Sequence, residues 1–260
     1  MPTPIALRVL EGHARAYRHT WRGTTVGALA RPVLFLAAIG VGLGTLVDEG
    51  AAARGAIDAP SYLAWFAPGL LAASLMQAGA SDGMFPVMAG MRWVGTYKSA
   101  VNSPVRPRDL FVGNLLWSAA RIATIGLVFA VVAAVFGAMP LGRGVLAVLP
   151  AALTGVVTCA AISAFIVTRD SPQVLAGMNR FLIVPLFLFS GTFFPVDQLP
   201  DAVQPVVHLI PLWHGVELTR AQALGTQPAL AWQLHLGVVV AVGALAVVLG
   251  AASYTRMLRR

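Results

Sequence analysis

Apolar residues fall in long blocks along this chain, not in alternation. Runs poor in charge recur at 30–47, 61–81, 110–139, 145–167, 173–194 and 230–252. Each is near the ~20 residues that a helix rising 1.5 Å per residue needs to cross a bilayer. The pattern predicts an all-α membrane protein, a single domain over residues 1–260 with six transmembrane helices. The runs at 145–167 and 230–252 contain no Asp, Glu, Lys or Arg. The run at 173–194 is the most interrupted, with Asn179 and Arg180 in its first turns and Pro185 breaking its hydrogen-bond ladder.

Residues 1–29 follow a different pattern. At 100° per residue Leu10, Ala14, Tyr17 and Trp21 share one stripe, while Arg8, Arg15, Arg18 and Arg22 gather on a face turned away from it. This predicts an amphipathic helix lying along a membrane surface; a basic leader with fortuitous periodicity is the bland alternative. A cleavable signal peptide is not expected, because the first 25 residues have no apolar core.

Composition agrees with the blocks: 58% of the residues are hydrophobic, 11% are charged and the mean hydropathy is +0.78. A soluble domain carries about 25% charged residues, so a soluble globular fold is excluded. The net charge of +8 would suggest nucleic acid on a soluble protein. Here the distribution of the cations says otherwise. Of 18 Lys and Arg, 14 lie in the N-terminal segment, the loops after the second and fourth runs, and the tail. Arg54, Arg143 and Arg220 lie on the opposite side, and Arg121 lies within the third run. The positive-inside rule then puts both termini in the cytoplasm, and nucleic acid is not expected as a partner. Tyr62, Trp65 and Trp232 at outer ends and Trp21 and Tyr254 at inner ends read as interfacial belts, whereas Trp117 sits too deep and is expected to pack on a neighbouring helix.

Three segments depart from a simple bundle. Residues 91–109 hold Trp93 and Tyr97 at i and i+4, followed by Lys98, and end in Pro104 and Pro107. A basic loop held by lipid headgroups accounts for the charge, but not for two large aromatics, so a helix that docks a cytoplasmic partner is the better reading. Residues 195–228 are divided by prolines at 195, 200, 205 and 211, yet 206–213 is strongly apolar. This predicts an outer re-entrant segment, since backbone at membrane depth must be shielded by protein. In the third run Asn114, Ser118 and Arg121 share one helix face. At roughly 16 Å from Leu110 the guanidinium reaches about the mid-plane of the bilayer. It is either a structural cation bonded to polar neighbours such as Asn179, Gln77 or Ser74, or a substrate-facing one, and no acidic residue falls in the middle of any run.

The chemistry of an enzyme is sparse. The single lysine, Lys98, follows Tyr97, so a phosphate-binding G-x-x-x-x-G-K-[ST] loop is excluded and the chain has no ATPase site of that kind. His208, His214 and Glu217 lack metalloprotease spacing and read as polar anchors, with no metal expected. Asp82, at the inner edge of the second run, is the nearest candidate for an acid within the membrane, which counts against a proton-coupled transporter. Cys159, the single cysteine, excludes an intrachain disulfide.

Four stretches carry a resemblance: FAPGLLAAS at 66–74, SPVRPRDL at 103–110, SGTFFPVDQLP at 190–200 and PLWHGVELTR at 211–220. On these the chain resembles the membrane permeases of type-2 ABC exporters, and among them the NodJ branch associated with export of lipo-oligosaccharide nodulation factors. The resemblance implies a pair of six-span permeases, this chain with a second copy or a paralogue, in the cytoplasmic (inner) membrane. It also implies two cytoplasmic ATPase subunits that carry ATP and magnesium, leaving this chain without a cofactor or catalytic residue. Docking would use Arg15, Arg18, Trp21 and Arg22 of the N-terminal helix and Trp93, Tyr97 and Lys98 of the loop after the second span. The substrate path at the pairing interface would involve Leu75, Met76, Gln77, Asn114, Ser118, Arg121, Asn179, Phe187 and Phe189. Phe193, Phe194, His208, Trp213, His214 and Glu217 would form the outer gate. The expected cargo is amphipathic: a glycolipid, a lipo-oligosaccharide, a phospholipid or a hydrophobic drug. An ATP-independent transporter or channel, and a membrane enzyme, are the competing classes.

Overall fold

The computed structural model describes residues 5–18, 30, 33–43 and 59–259. Among these the regular elements are helices, the α-helices being α1 (Ile5–Tyr17), α2 (Tyr62–Met88), α3 (Thr96–Val101), α4 (Pro107–Val135), α5 (Leu141–Ile166), α6 (Gln173–Met178), α7 (Val184–Phe189), α8 (Gln204–His208), α9 (Pro211–Leu224) and α10 (Trp232–Leu258). Four are long and apolar enough to cross a membrane: α2 with its continuation to Trp93, α4, α5 and α10. They answer to the second, third, fourth and sixth expected spans. The fifth is shorter than expected. It is an apolar helix over Gln173–Phe189, wound as a π-helix between Asn179 and Ile183, where Asn179 and Arg180 enter the run. Of the first expected span only residue 30 and residues 33–43 are described, including a π-helical stretch over Ala38–Leu43.

Local signals explain the starts of the helices. Ser61 caps α2, its side chain accepting the Ala64 N–H at 3.2 Å. Pro107 and Pro211 open α4 and α9 at positions where the missing N–H would be unpaired anyway. Asp109 in the first turn of α4 faces the positive end of the helix dipole.

Packing sorts the long helices by role. Helix α2 buries 19 of its 27 residues within this chain, whereas α10 buries 6, along the single stripe His235, Val239, Gly243, Ala246, Gly250 and Tyr254. Helix α2 is therefore a core element, and α10 presents most of its surface outward, as a helix bordering lipid does. Helix α5 packs against α2, α4, α9 and α10. Its crossing with α2 is so close that a Cβ on Gly79 would lie 1.9 Å from the Gly155 carbonyl oxygen, and one on Gly155 2.5 Å from that of Leu75. Membrane helices lack a hydrophobic drive to associate, so such backbone approach supplies the van der Waals contact instead.

The loops agree on an up-and-down order. At one end Arg92, beyond α2, pairs with Asp170 and donates from Nε to the Arg169 carbonyl at 3.2 Å, beyond α5. Three of the residues expected as interfacial belts are instead interior: Tyr62, Trp65 and Tyr254 are buried, whereas Trp232 is exposed. A helix-end aromatic reads the same in sequence whether it borders lipid or another helix.

Candidate functional site

The residues with polar chemistry gather in three places. The first is the end of the bundle where α1 and α3 meet the start of α4. Helix α1 forms over Ile5–Tyr17, and of the stripe the sequence suggested Tyr17 packs and Leu10 is half-buried. It seats on α4 through Ala6, Val9, His13 and Tyr17, and Ala14 is exposed. The fit depends on Gly113, whose Cβ would stand 2.6 Å from that of Val9. His13 stacks on Trp117 at 5.9 Å and Tyr17 meets the same ring edge-on at 5.2 Å, so Trp117 does pack on a neighbouring helix. His13 Nε2 lies 2.7 Å from Asn114 Oδ1, and Asn114 Nδ2 donates to the Tyr97 hydroxyl at 2.7 Å.

That last bond revises the expected docking face. Trp93 and Tyr97 do not share one helical surface, because Gly95, with φ 74°, separates the π-helical end of α2 from α3. A left-handed residue there turns the chain, which glycine does without a side-chain clash. Trp93 is consequently exposed while Tyr97 is buried, its ring 5.9 Å from that of Tyr254. Lys98, Arg15 and Arg18 are exposed, and Trp21 and Arg22 lie outside the described residues.

The second place is a cavity of ≈ 100 Å³ just inside this end, lined in part by His13, Asp82, Asn114, Ser118, Cys159 and Tyr254. Arg121 is closed off beside it. Its Nε donates to Asp82 Oδ2 at 3.0 Å and a second nitrogen reaches Oδ1. The expected partners Asn179, Gln77 and Ser74 are thus replaced by an acid. The sequence placed Asp82 at the edge of the second span, but α2 continues to Met88 and carries the carboxylate into the bundle.

The third place is the opposite end, around α9. Arg220, counted in the sequence only as an outer cation, is buried at 8% exposure and ties four groups together. It donates to the carbonyls of Gly191 (2.8 Å) and Trp65 (3.3 Å), pairs with Glu217 at 2.7 Å, and stands 4.0 Å over the Trp65 ring. Glu217 uses its other oxygen to accept the Ala229 N–H at 3.0 Å. Burial lowers the Arg220 pKa and the Glu217 charge opposes the shift. The i, i+3 spacing of Glu217 and Arg220 was the signal that could have found this node.

Beside it, His214, His235 and Trp213 pack with ring centroids 4.8–4.9 Å apart, and His208 sits 4.4 Å from Trp213. The hydrogen bonds fix the tautomers. The Leu230 N–H reaches His235 Nε2 at 3.3 Å, so His235 carries its proton on Nδ1 and donates it to His214 Nδ1 at 2.9 Å. His214 is then protonated on Nε2, which donates to the His208 carbonyl at 2.9 Å. Both rings are neutral in this chain. His235 was missed in the sequence because it opens an uncharged span, where a lone histidine carries no pattern.

The residues expected along a substrate path are not brought together in one chain. Leu75 and Met76 are buried in the α2 core. Asn114 and Ser118 line the cavity, and Arg121 is paired. Gln77 is half-buried, Asn179 and Phe189 are exposed on the short fifth helix, and Phe187 meets Phe35 and Phe193 at 6.4 and 5.1 Å. Of the expected gate residues, Phe193 also packs on Phe66 at 5.5 Å and Phe194 is half-buried, while α8 and α9 occupy the segment predicted to be re-entrant.

Comparison with known proteins adds to this geometry. Residues 10–224 match the family model described as ABC-2 type transporter. The chain is similar to Nodulation protein J of Rhizobium meliloti (strain 1021), at 32% identity over 85% of this chain and 82% of that protein. It is likewise similar to Nodulation protein J of Rhizobium leguminosarum bv. viciae, at 30% over 86% and 83%, and of Sinorhizobium fredii (strain NBRC 101917 / NGR234), at 32% over 85% and 81%.

Proposed function

From the premise that the chain belongs to the ABC-2 type transporter family and is the membrane permease component of a NodJ-like ABC exporter system, we propose that it pairs with a second permease and two cytoplasmic ATPases. The assembly exports an amphipathic acylated oligosaccharide or glycolipid from the inner leaflet of the cytoplasmic membrane. Both chain termini face the cytoplasm in this reading, as the 14 basic residues on one side indicate. Family membership displaces the ATP-independent and enzymatic alternatives.

The observation that carries the reading is the meeting of α1 and α3 at the start of α4. There the exposed Arg15, Arg18, Trp93 and Lys98 surround two elements that are anchored to the spans and to each other. An ATPase that closes on ATP would move this end. The work done on the permease equals the difference in affinity of its two conformations for the closed ATPase and for cargo. Tyr97 serves as an anchor beneath the docking surface. The exposed faces of the short fifth helix, with Asn179, Phe181 and Phe189, offer a site for the second permease.

The test is reconstitution with the co-expressed ATPase in proteoliposomes, with ATP hydrolysis followed across acylated chitooligosaccharides, glycolipids, phospholipids and hydrophobic drugs. Stimulation by the acylated sugars is expected. An ATPase that does not co-purify in mild detergent overturns the reading, and stimulation by drugs alone overturns the cargo.

A further inference from the structure

Helix α3 has six residues, fewer than the ~12–15 an isolated helix needs to persist in water. Its orientation must come from contacts. Its one buried residue is Tyr97, whose ring packs by Gly90 and Tyr254 and whose hydroxyl accepts from Asn114. Helix α1 in turn holds α4 through one stripe, and the side-chain hydrogen bond in that stripe, from His13, ends on the same Asn114. A primary amide presents an acceptor edge and a donor edge at once. That is what a residue bridging an imidazole N–H and a phenol oxygen requires.

Resting on the docking reading above, we propose that Asn114 is a positioning residue of the ATPase-docking surface: its amide bonds His13 of α1 on one edge and Tyr97 of α3 on the other, and so fixes the two elements as one unit. The exposed side chains then keep their spacing when the ATPase engages, Arg15 and Arg18 on one element and Trp93 and Lys98 beside the other. If the elements slid independently, a push on either would dissipate at the surface instead of displacing α4. The bridge is half-buried between α1, α3 and α4, so water competes with it less than at an open surface.

The substitutions that probe it differ in hydrogen bonding more than in volume. Asn114→Leu removes both bonds. Asn114→Asp keeps two, because a carboxylate accepts from the His13 N–H and from the Tyr97 hydroxyl, whose proton is free to turn toward it. Tyr97→Phe removes only the oxygen and leaves the ring packed against Tyr254. The experiment uses the full-length permease with its co-expressed ATPase in nanodiscs, in a Cys159→Ala background. Spin labels are placed through Gly12→Cys on α1 and Ser99→Cys on α3, and ATPase retention is measured by pull-down.

Wild type and Asn114→Asp are expected to give one narrow α1–α3 distance distribution. Asn114→Leu and Tyr97→Phe should broaden it and lower retention, Tyr97→Phe roughly fivefold, the factor that one neutral hydrogen bond carries, and Asn114→Leu, which loses two, by more. Unchanged distances and retention in Tyr97→Phe overturn the proposal even if Asn114→Leu fails to fold, and so does Asn114→Asp behaving like Asn114→Leu. If wild type itself retains no ATPase, the docking reading fails, and a broadened distribution in Tyr97→Phe then shows the bridge standing without it.

Discussion

Arg121 at the middle of α4 and Asp82 in the last third of α2 form a two-point ion pair, with Nε 3.0 Å from one carboxylate oxygen and a second nitrogen on the other. Their side chains are 18% and 10% exposed. Removing one partner from such a pair strands the other's charge at a cost of about 3–5 kcal/mol, whereas replacing both with apolar groups is close to neutral. Arg121→Leu and Asp82→Leu should each sharply reduce monodisperse protein on size-exclusion chromatography and lower its thermal midpoint, and the double variant should recover most of both. Two harmless single variants would show that the pair is not a structural one.

The α2–α5 crossing makes a steric prediction. A Cβ on Gly79 would lie 1.9 Å from the Gly155 carbonyl oxygen, a backbone atom that cannot swing away. Gly79→Ala should therefore cost at least the ~1–3 kcal/mol of an overpacked core. Gly237→Ala, on the outward side of α10 with nothing within 4 Å of its Cβ, should be neutral or slightly stabilising. Thermal midpoints in detergent check the contrast. Equal effects at both sites would show that the helices can separate at the crossing without loss.

What was legible in the sequence was whatever repeats along a helix. Four long spans and the break at Asn179 and Arg180 follow from block length and charge alone. Contacts between elements were not legible, because periodicity reports which face is buried and not what covers it. Thus the sequence stripe of α1 is Leu10, Ala14, Tyr17 and Trp21, of which Tyr17 packs on Trp117, but the face that packs also includes the polar His13, which counts as interior only once Asn114 is opposite. Trp93 and Tyr97 looked like one face until Gly95 was seen to turn the chain. Asp82 lost its place because the end of α2 was set by hydropathy, which falls at the very acid that the pair with Arg121 accommodates.

The Arg220 node predicts a difference between two cations. Lysine at this position keeps the charge toward Glu217, but its ammonium cannot span the carbonyls of Gly191 and Trp65 and lie flat over an indole at the same time. Arg220→Lys should destabilise by about 2 kcal/mol, the cost of buried acceptors left without a donor. It should also open residues 190–200 to added protease while the rest of the bundle stays protected. Wild-type proteolysis of Arg220→Lys would mean that charge alone holds the segment.

The histidine chain sets a pH dependence at the same end. Burial lowers the pKa of His214 below its ordinary 6.5, so between that folded value and 6.5 the unfolded segment binds more protons than the folded one. Stability is therefore complete above about pH 6.5 and falls as the pH drops through this window. The geometry gives the reason. A protonated His214 would point an Nδ1–H at the Nδ1–H of His235, and neither could accept. The groups facing the pair are the uncharged Trp213 ring, His208, which adds to the lowering, and Glu217, which opposes it. The protection factors for hydrogen exchange over 204–235, which correct for the slower intrinsic exchange at lower pH, should fall between pH 7.5 and 5.5 in wild type. The His214→Gln variant keeps hydrogen-bonding capacity but does not titrate, and its loss of protection should be much smaller. An equal loss in both proteins would assign the pH response to a group other than His214.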